Sequence, residues 1–453
     1  MRRVAVLLLL FLGMSLIIPI QQGAHGAGAQ SLLIFGFLVL AAYTVGELVT
    51  PLTLPRITGF LLAGILFGPS VLGSVDTNVI AELAPVNRLA IALIAFLAGA
   101  ELRWKELRDH LKTLLAILTS ELLLTFVAIV GTLLLVRQYV PFLAGTELIQ
   151  AVALSSLFAA VAIVHSPAVV LALLTETGAK GPVTRTTLSI VLVADVVVVL
   201  AFSLTLAIAR AVVPSDTAAA LSAGAVAWEL GGSVIVGALL GGAVALYLRF
   251  VERELIMFAL IVAFFGSEIA RLVHVESLLT LLVAGFVAEN TTRHGAEALL
   301  KAMERSAAPV FVVFFALAGA SISLQTLATI WPLAVGIVIV RAAGIWGGVQ
   351  IGARLTGASP DERRYTWMGL IAQAGVAIGL VAVIAENYPE RGAAMQTLIL
   401  SVIAINQLVG PVLGRMALAR AGEIGMAEDE EENEAGQSES GAPKRQPQSV
   451  SDT

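Results

Sequence analysis

The chain has 453 residues, 58% of them hydrophobic and 13% charged, against about 25% charged in an ordinary soluble protein, which excludes a water-soluble globular fold. With no cysteine and five histidines, it has no disulfide, thiolate zinc site, iron–sulfur cluster or cysteine nucleophile, and little material for a histidine metal cluster. The formal net charge of −5 belongs to the end of the chain: from Glu423 on there are nine acidic residues against Lys444 and Arg445, leaving 25 basic and 23 acidic residues before it.

Residues 1–20 (MRRVAVLLLLFLGMSLIIPI) combine a basic start with an apolar stretch, and small residues follow at 23–29. Residues 1–29 therefore read as a signal peptide or as an extra N-terminal helix. Thirteen further apolar segments follow, at about 30–48, 56–74, 83–101, 113–136, 148–174, 186–209, 225–248, 254–271, 274–289, 306–323, 328–353, 365–386 and 394–414. Most approach the roughly 17–25 residues that cross a hydrocarbon core as a helix. The expected fold class is an all-α polytopic membrane protein with 13 transmembrane helices.

Lys and Arg in the loops test that count. If the loop after the first segment is cytoplasmic, 17 basic loop residues fall on the cytoplasmic side and five (Arg88, Arg137, Arg210, Arg271, Arg391) on the other. The C-terminus then ends in the cytoplasm, and a plasma-membrane (inner-membrane) location is expected. The acidic tail 427–453 has almost no large apolar residues and is expected to be disordered.

Two segments are interrupted. The fifth (AVALSSLFAAVAIVHSPAVVLALL) places His165, Ser166 and Pro167 mid-membrane, and the twelfth (MGLIAQAGVAIGLVAVIA) has Gln373 between small residues, with Gly375 and Gly379 nearby. If the seventh segment, 225–248, is a linker, each interruption lies in the fifth helix of a six-helix half, about 30–210 and 254–415. Six helices plus a linker invert the second half, giving inverted repeats with one broken helix each within a transmembrane domain at 30–420, an architecture of secondary transporters.

Charged groups deep in these segments need a reason. Asp195 sits at the centre of the sixth, where a proton and a monovalent cation can compete for one carboxylate; the other reading is a structural ion pair with Arg341. Arg341, mid-way along the eleventh, stays protonated, and can either pair with Asp195 or compensate the negative ends of broken helices. Ser166 and unwound carbonyls can replace the hydration shell of Na⁺ or K⁺. Pro167 removes a donor and frees a carbonyl one turn earlier. His165 reads as a pH sensor or as a hydrogen-bonded neutral core histidine, Gln373 as a support for freed backbone groups, and Glu121 as a protonated packing residue or interhelical hydrogen bond. An intramembrane protease is the weakest of the competing readings, since neither paired catalytic aspartates nor a G-x-S-x-G motif with a distant histidine can be assembled.

The stretches LPRITGFLLAGILFGPSVLG (54–73), HSPAVVLALLTETGAKGPVTRTTLSIVLVADV, ESLLTLLVAGFVAEN, PVFVVFFALAGASISL and IVRAAGIWGGVQIGARLTG followed by GLIAQAGVAIGLVAV resemble the bacterial monovalent cation:proton antiporters, in the branch that includes Na⁺/H⁺ exchangers and potassium-efflux systems. The resemblance covers about residues 30–415. It implies the Na⁺/H⁺ antiporter fold with two crossed broken helices, a homodimer in membrane lipid, an elevator-like movement of the core, no enzymatic activity, no cofactor beyond the transported H⁺ and Na⁺ or K⁺, and no nucleic-acid partner. It places Asp195 on the ion-binding aspartate, Arg341 on the basic core residue, and Ser166 and Gln373 on the first and second broken helices. Where electrogenic relatives have a second acid before the aspartate, this chain has Ala194, which implies electroneutral exchange; His165 is also a departure, since small polar residues are more usual there. The alternatives are a potassium efflux or channel-like protein, whose filter or regulatory domain is not visible, and an organic anion transporter of related fold.

Overall fold

Lipid offers no partner to a backbone N–H or C=O, so each apolar segment has to close its own hydrogen bonds as a helix. The computed structural model, which describes residues 27–213, 223–250, 255–292, 309–373 and 376–426, is helical throughout with no strand among those residues. In chain order the helices are α1 (Ala27–Val49), α2 (Arg56–Phe67), α3 (Thr77–Glu82), α4 (Ala84–Ala100), α5 (Trp104–Asp109), α6 (Leu111–Leu135), α7 (Leu148–Ala162), α8 (Pro167–Thr177), α9 (Pro182–Val212), α10 (Ala223–Phe250), α11 (Leu255–Leu272), α12 (Ser277–Thr291), α13 (Pro309–Ala320), α14 (Leu324–Thr356), α15 (Pro360–Gly369), α16 (Val376–Asn387) and α17 (Pro389–Ala421). Residues 1–26 of the segment expected as a signal peptide or extra helix, Gly375 and the tail at 427–453 lie outside the described residues.

Among the described residues eight stretches are long and apolar enough to cross a membrane, and α2, α4, α12 and α13 are shorter apolar helices beside them. The two interruptions read from the sequence are real breaks. The fifth segment divides into α7 and α8 around residues 163–166, and the twelfth into α15, which ends at Gly369, and α16, which begins at Val376, with residues 370–373 non-helical between them. One detail differs from expectation: Pro167 stands at the first position of α8, not inside a helix. A proline there removes no intrahelical bond, because the first-turn N–H groups have no partner in any case.

The helices fall into two packing groups. In one, α6 crosses α14, α7 lies on α9 and α6, and α15, α16 and α14 pack on α17. In the other, α1 packs on α2, α4 on α11 and α12, and α10 on α12. The α6–α14 crossing is close because Gly344, Gly348 and Gly352 repeat every four residues along α14, and a Cβ at Gly348 would come within 2.2 Å of the Glu121 Cα. Small residues at that spacing let two backbones approach in a membrane, where apolar burial itself gives no preference for helix over lipid. This stripe sets Gly344 against Thr125, Gly348 against Glu121 and Gly352 against Ile117 of α6. Between the groups, both carboxylate oxygens of Glu176 at the end of α8 accept the Arg56 N–H at the start of α2 (2.9 Å each), and Arg415 of α17 donates to the Leu54 carbonyl at 2.9 Å.

The chain beyond α17 returns to the helix that carries Asp195. Glu423, 3% exposed, accepts the N–H groups of Val183 (2.8 Å) and Thr184 (2.7 Å) in the first turn of α9. The residue before that turn is Gly181, where any Cβ would meet the Glu423 side chain at 2.4 Å. A carboxylate from 240 residues away thus caps a helix whose own N-cap has no side chain. Truncation after Gly425 is expected to preserve thermal stability and transport. Truncation after Gly422 should lower stability by about 1–2 kcal/mol, read as a lower melting temperature in detergent; equal melting temperatures for the two would show that Glu423 carries no such role.

Candidate functional site

A helix ending inside a membrane leaves its last carbonyls without donors and concentrates negative partial charge there. Two such ends meet in this protein, those of α7 and α15, and one side chain serves both. Arg341, fully buried on α14, donates from Nε to the Ala162 carbonyl (2.6 Å), from Nη2 to Val164 (2.8 Å) and from Nη1 to Ile371 (2.7 Å), with Leu370 at 3.4 Å from Nη2. A rigid fork of five donors suits four convergent acceptors better than a single ammonium does. Of the two roles open to Arg341 from the sequence, compensation of the broken-helix ends is the one seen here; no ion pair joins it to Asp195 among the described residues.

His165 extends the same tie. Its Nδ1 donates to the Leu370 carbonyl (2.8 Å), and Nε2 lies 2.9 Å from Oε1 of Glu121 on α6, both residues being buried. Gln373, within the second break, donates to the Val161 carbonyl at 3.0 Å and accepts from Asn406 of α17 at 3.0 Å. Asn406 was not singled out in the sequence; a lone Asn followed by Gln within the apolar run ILSVIAINQLVG is the signal that marks it.

Arg341, His165 and Gln373 together donate to the carbonyls of Val161, Ala162, Val164, Leu370 and Ile371 at the breaks. Ser166 caps α8, its Oγ accepting from the Val169 N–H at 3.4 Å. With Pro167 it lines a cleft whose other wall is formed by Ile94 and Ala98 of α4, Leu282 of α12 and Phe314 of α13. The cleft therefore lies between the two packing groups, at the positive end of a half-helix.

Asp195 stands apart from the tie. It occupies the middle of α9, is 5% exposed, and neither carboxylate oxygen has a hydrogen-bond partner among the described residues. Its predecessor Ala194 is fully buried. Glu276 caps α12 by accepting the Leu279 N–H. A buried carboxylate without a donor is costly as an anion. The chemistry such a group can do is to bind a proton or a cation.

A buried acid at mid-helix, next to two broken helices tied by an arginine, is a geometry that comparison with other proteins can place. The sequence pattern described as sodium/hydrogen exchanger, transmembrane, matches residues 34–419. The chain belongs to this family. Among curated proteins it is 31% identical over 162 residues to the iron transporter MagA of Paramagnetospirillum magneticum, a match covering 36% of this chain and 34% of that one. It is 30% identical over 90 residues to the Na(+)/H(+)-K(+) antiporter GerN of Bacillus cereus, covering 20% of this chain and 23% of the relative. The chain thus spans about a third and a quarter of the lengths of these relatives. The fold matches that of the sodium proton antiporter MjNhaP1 from Methanocaldococcus jannaschii with a TM-score of 0.65 at 15% identity, over 86% of this chain and 98% of that one.

Within this exchanger fold, removing the guanidinium would take the close donor from three buried carbonyls, those of Ala162, Val164 and Ile371, at about 1–3 kcal/mol each. Arg341→Ala is expected to lower the melting temperature in detergent strongly, and Arg341→Lys, with three donors and no fork, to restore only part of it. An Arg341→Ala protein as stable as the wild type would show that the breaks do not depend on this residue.

Proposed function

We propose that this member of the cation:proton antiporter family exchanges Na⁺, with K⁺ as the second choice, for H⁺ at Asp195. The observation that carries the reading is the unpartnered carboxylate of Asp195. In a low-dielectric site its anion needs a compensating charge, and either one proton or one monovalent cation supplies it. Both cannot be held at once at little cost, so occupancy by one displaces the other. That competition is the exchange.

The cleft between the two packing groups supports an elevator-like movement, in which α6–α9 and α14–α17 travel as one body against the rest. In this reading the chain crosses the membrane thirteen times, with the α7–α8 and α15–α16 pairs each counted once. The halves at about 30–210 and 254–415 are inverted repeats joined by α10, and the protein is a homodimer in the plasma membrane with its C-terminus in the cytoplasm. Ala194 leaves Asp195 as the one carboxylate at that level of α9, so a half-cycle carrying H⁺ and a half-cycle carrying the cation move equal charge. The exchange is electroneutral.

The test is dequenching of a pH dye in proteoliposomes, with Na⁺, K⁺ and Li⁺ added in turn, and Fe²⁺ included because one relative is named an iron transporter. Na⁺ or K⁺ should drive proton flux in the wild type and none in Asp195→Asn, and a valinomycin-clamped potential should leave the rate unchanged. Flux in a well-folded Asp195→Asn protein would remove the assignment, and a rate rising steeply with potential would remove electroneutrality.

A further inference from the structure

The hydrogen positions around His165 are fixed by what its neighbours can do. A carbonyl only accepts, so the 2.8 Å contact with Leu370 puts a hydrogen on Nδ1. The 2.9 Å contact between Nε2 and Glu121 Oε1 then needs a hydrogen of its own, because a ring lone pair and a carboxylate lone pair repel at that distance. Glu121 and His165 together therefore hold one proton more than a carboxylate and a neutral imidazole would. Two arrangements satisfy the geometry: an imidazolium facing a carboxylate, or a carboxylic acid donating to a neutral ring.

The surroundings distinguish them. Arg341 Nη2 comes within 3.3 Å of Nδ1, so an imidazolium would place a second buried cation against a permanent one. The Arg341 donors are turned to the carbonyls of Ala162, Val164 and Ile371, and none is bonded to Glu121. The other oxygen, Glu121 Oε2, is buried with no hydrogen-bond partner, a smaller cost for the C=O of an acid than for half of a carboxylate. Among the described residues no other charged group is bonded to the pair: from α15, Glu362 is engaged by Thr186 and its own cap; from α8, Glu176 is bonded to the Arg56 N–H; from α9, Asp195 makes no hydrogen bond to either residue.

We propose that Glu121 is a carboxylic acid that donates its hydrogen to His165 Nε2, fastening α6 to both helix breaks, and that this proton stays in place through the transport cycle. Glu121 and His165 are then positioning residues, and Asp195 alone exchanges its proton. This rests on the reading of Asp195 as the exchange site, while the bonding of Glu121 is testable without it.

The first measurement is infrared spectroscopy of purified protein in the Asp195→Asn background, comparing Glu121 with Glu121→Gln. The difference should show loss of a carboxylic acid C=O band; loss of carboxylate bands in its place would establish the charged pair and overturn the proposal. In proteoliposomes Glu121→Gln, which keeps a donor toward His165, should exchange cation for proton at an unchanged ratio, whereas Glu121→Ala should lose about tenfold in rate. A changed ratio in Glu121→Gln would show that the Glu121 proton is transported, against the proposal. Should Glu121→Gln fail to fold, ¹⁵N imidazole spectra of the wild type, with the His165 signal identified by its absence in His165→Gln, decide the matter: a neutral ring protonated at Nδ1 supports the acid, and an imidazolium overturns it. A wild type without cation-driven flux would sink the antiport reading and leave the infrared result standing.

Discussion

The structure depends on how two helix ends are tolerated inside a membrane. Breaking a helix there exposes carbonyls that neither lipid nor an apolar side chain can satisfy. Arg341 meets the ends of α7 and α15 together, with carbonyls of both breaks within 2.6–2.8 Å of its three nitrogens. Its burial in turn requires α14 to run close against α6, which the glycines at 344, 348 and 352 allow. The half-helix that begins at Pro167 has its position set by this junction. So does the Ser166 wall of the cleft.

A consequence is a separation of charges by task. The guanidinium, permanently charged, donates to backbone carbonyls, and among the described residues no ion pair joins it to Asp195. Among those residues Asp195 has no hydrogen-bond partner, the condition under which the proposed passage of one carboxylate between proton and cation can operate. Had Arg341 been paired with it, as one sequence reading allowed, each arriving cation would first have had to displace a buried ion pair. Glu423 acts on the same helix from the other direction, holding the first turn of α9 through Val183 and Thr184.

Much of this was legible in the sequence because it is written locally. The apolar segments, the HSP and QAG interruptions and the isolated Asp195 and Arg341 are each visible within a window of about 20 residues. What was not legible is what joins distant windows. Ala162 is 179 residues from Arg341, and Leu370 is 205 residues from His165, and no local pattern states which carbonyl an arginine will reach. For the same reason the cap supplied by Glu423 looked like the start of the acidic tail. Other features were local and passed over. Ser166-Pro167 is a cap followed by a first-turn proline, a helix start and not a helix interior, and the four-residue glycine spacing in α14 marks a close helix crossing.

The central claim is that one carboxylate is shared by proton and cation, and proton release on cation binding tests it most directly. In weakly buffered detergent solution, adding Na⁺ to the wild-type protein is expected to acidify the medium by about one proton per chain at saturation, and to release none from Asp195→Asn. Undiminished release from the Asp195→Asn protein would contradict the claim and place the exchanged proton elsewhere in the core.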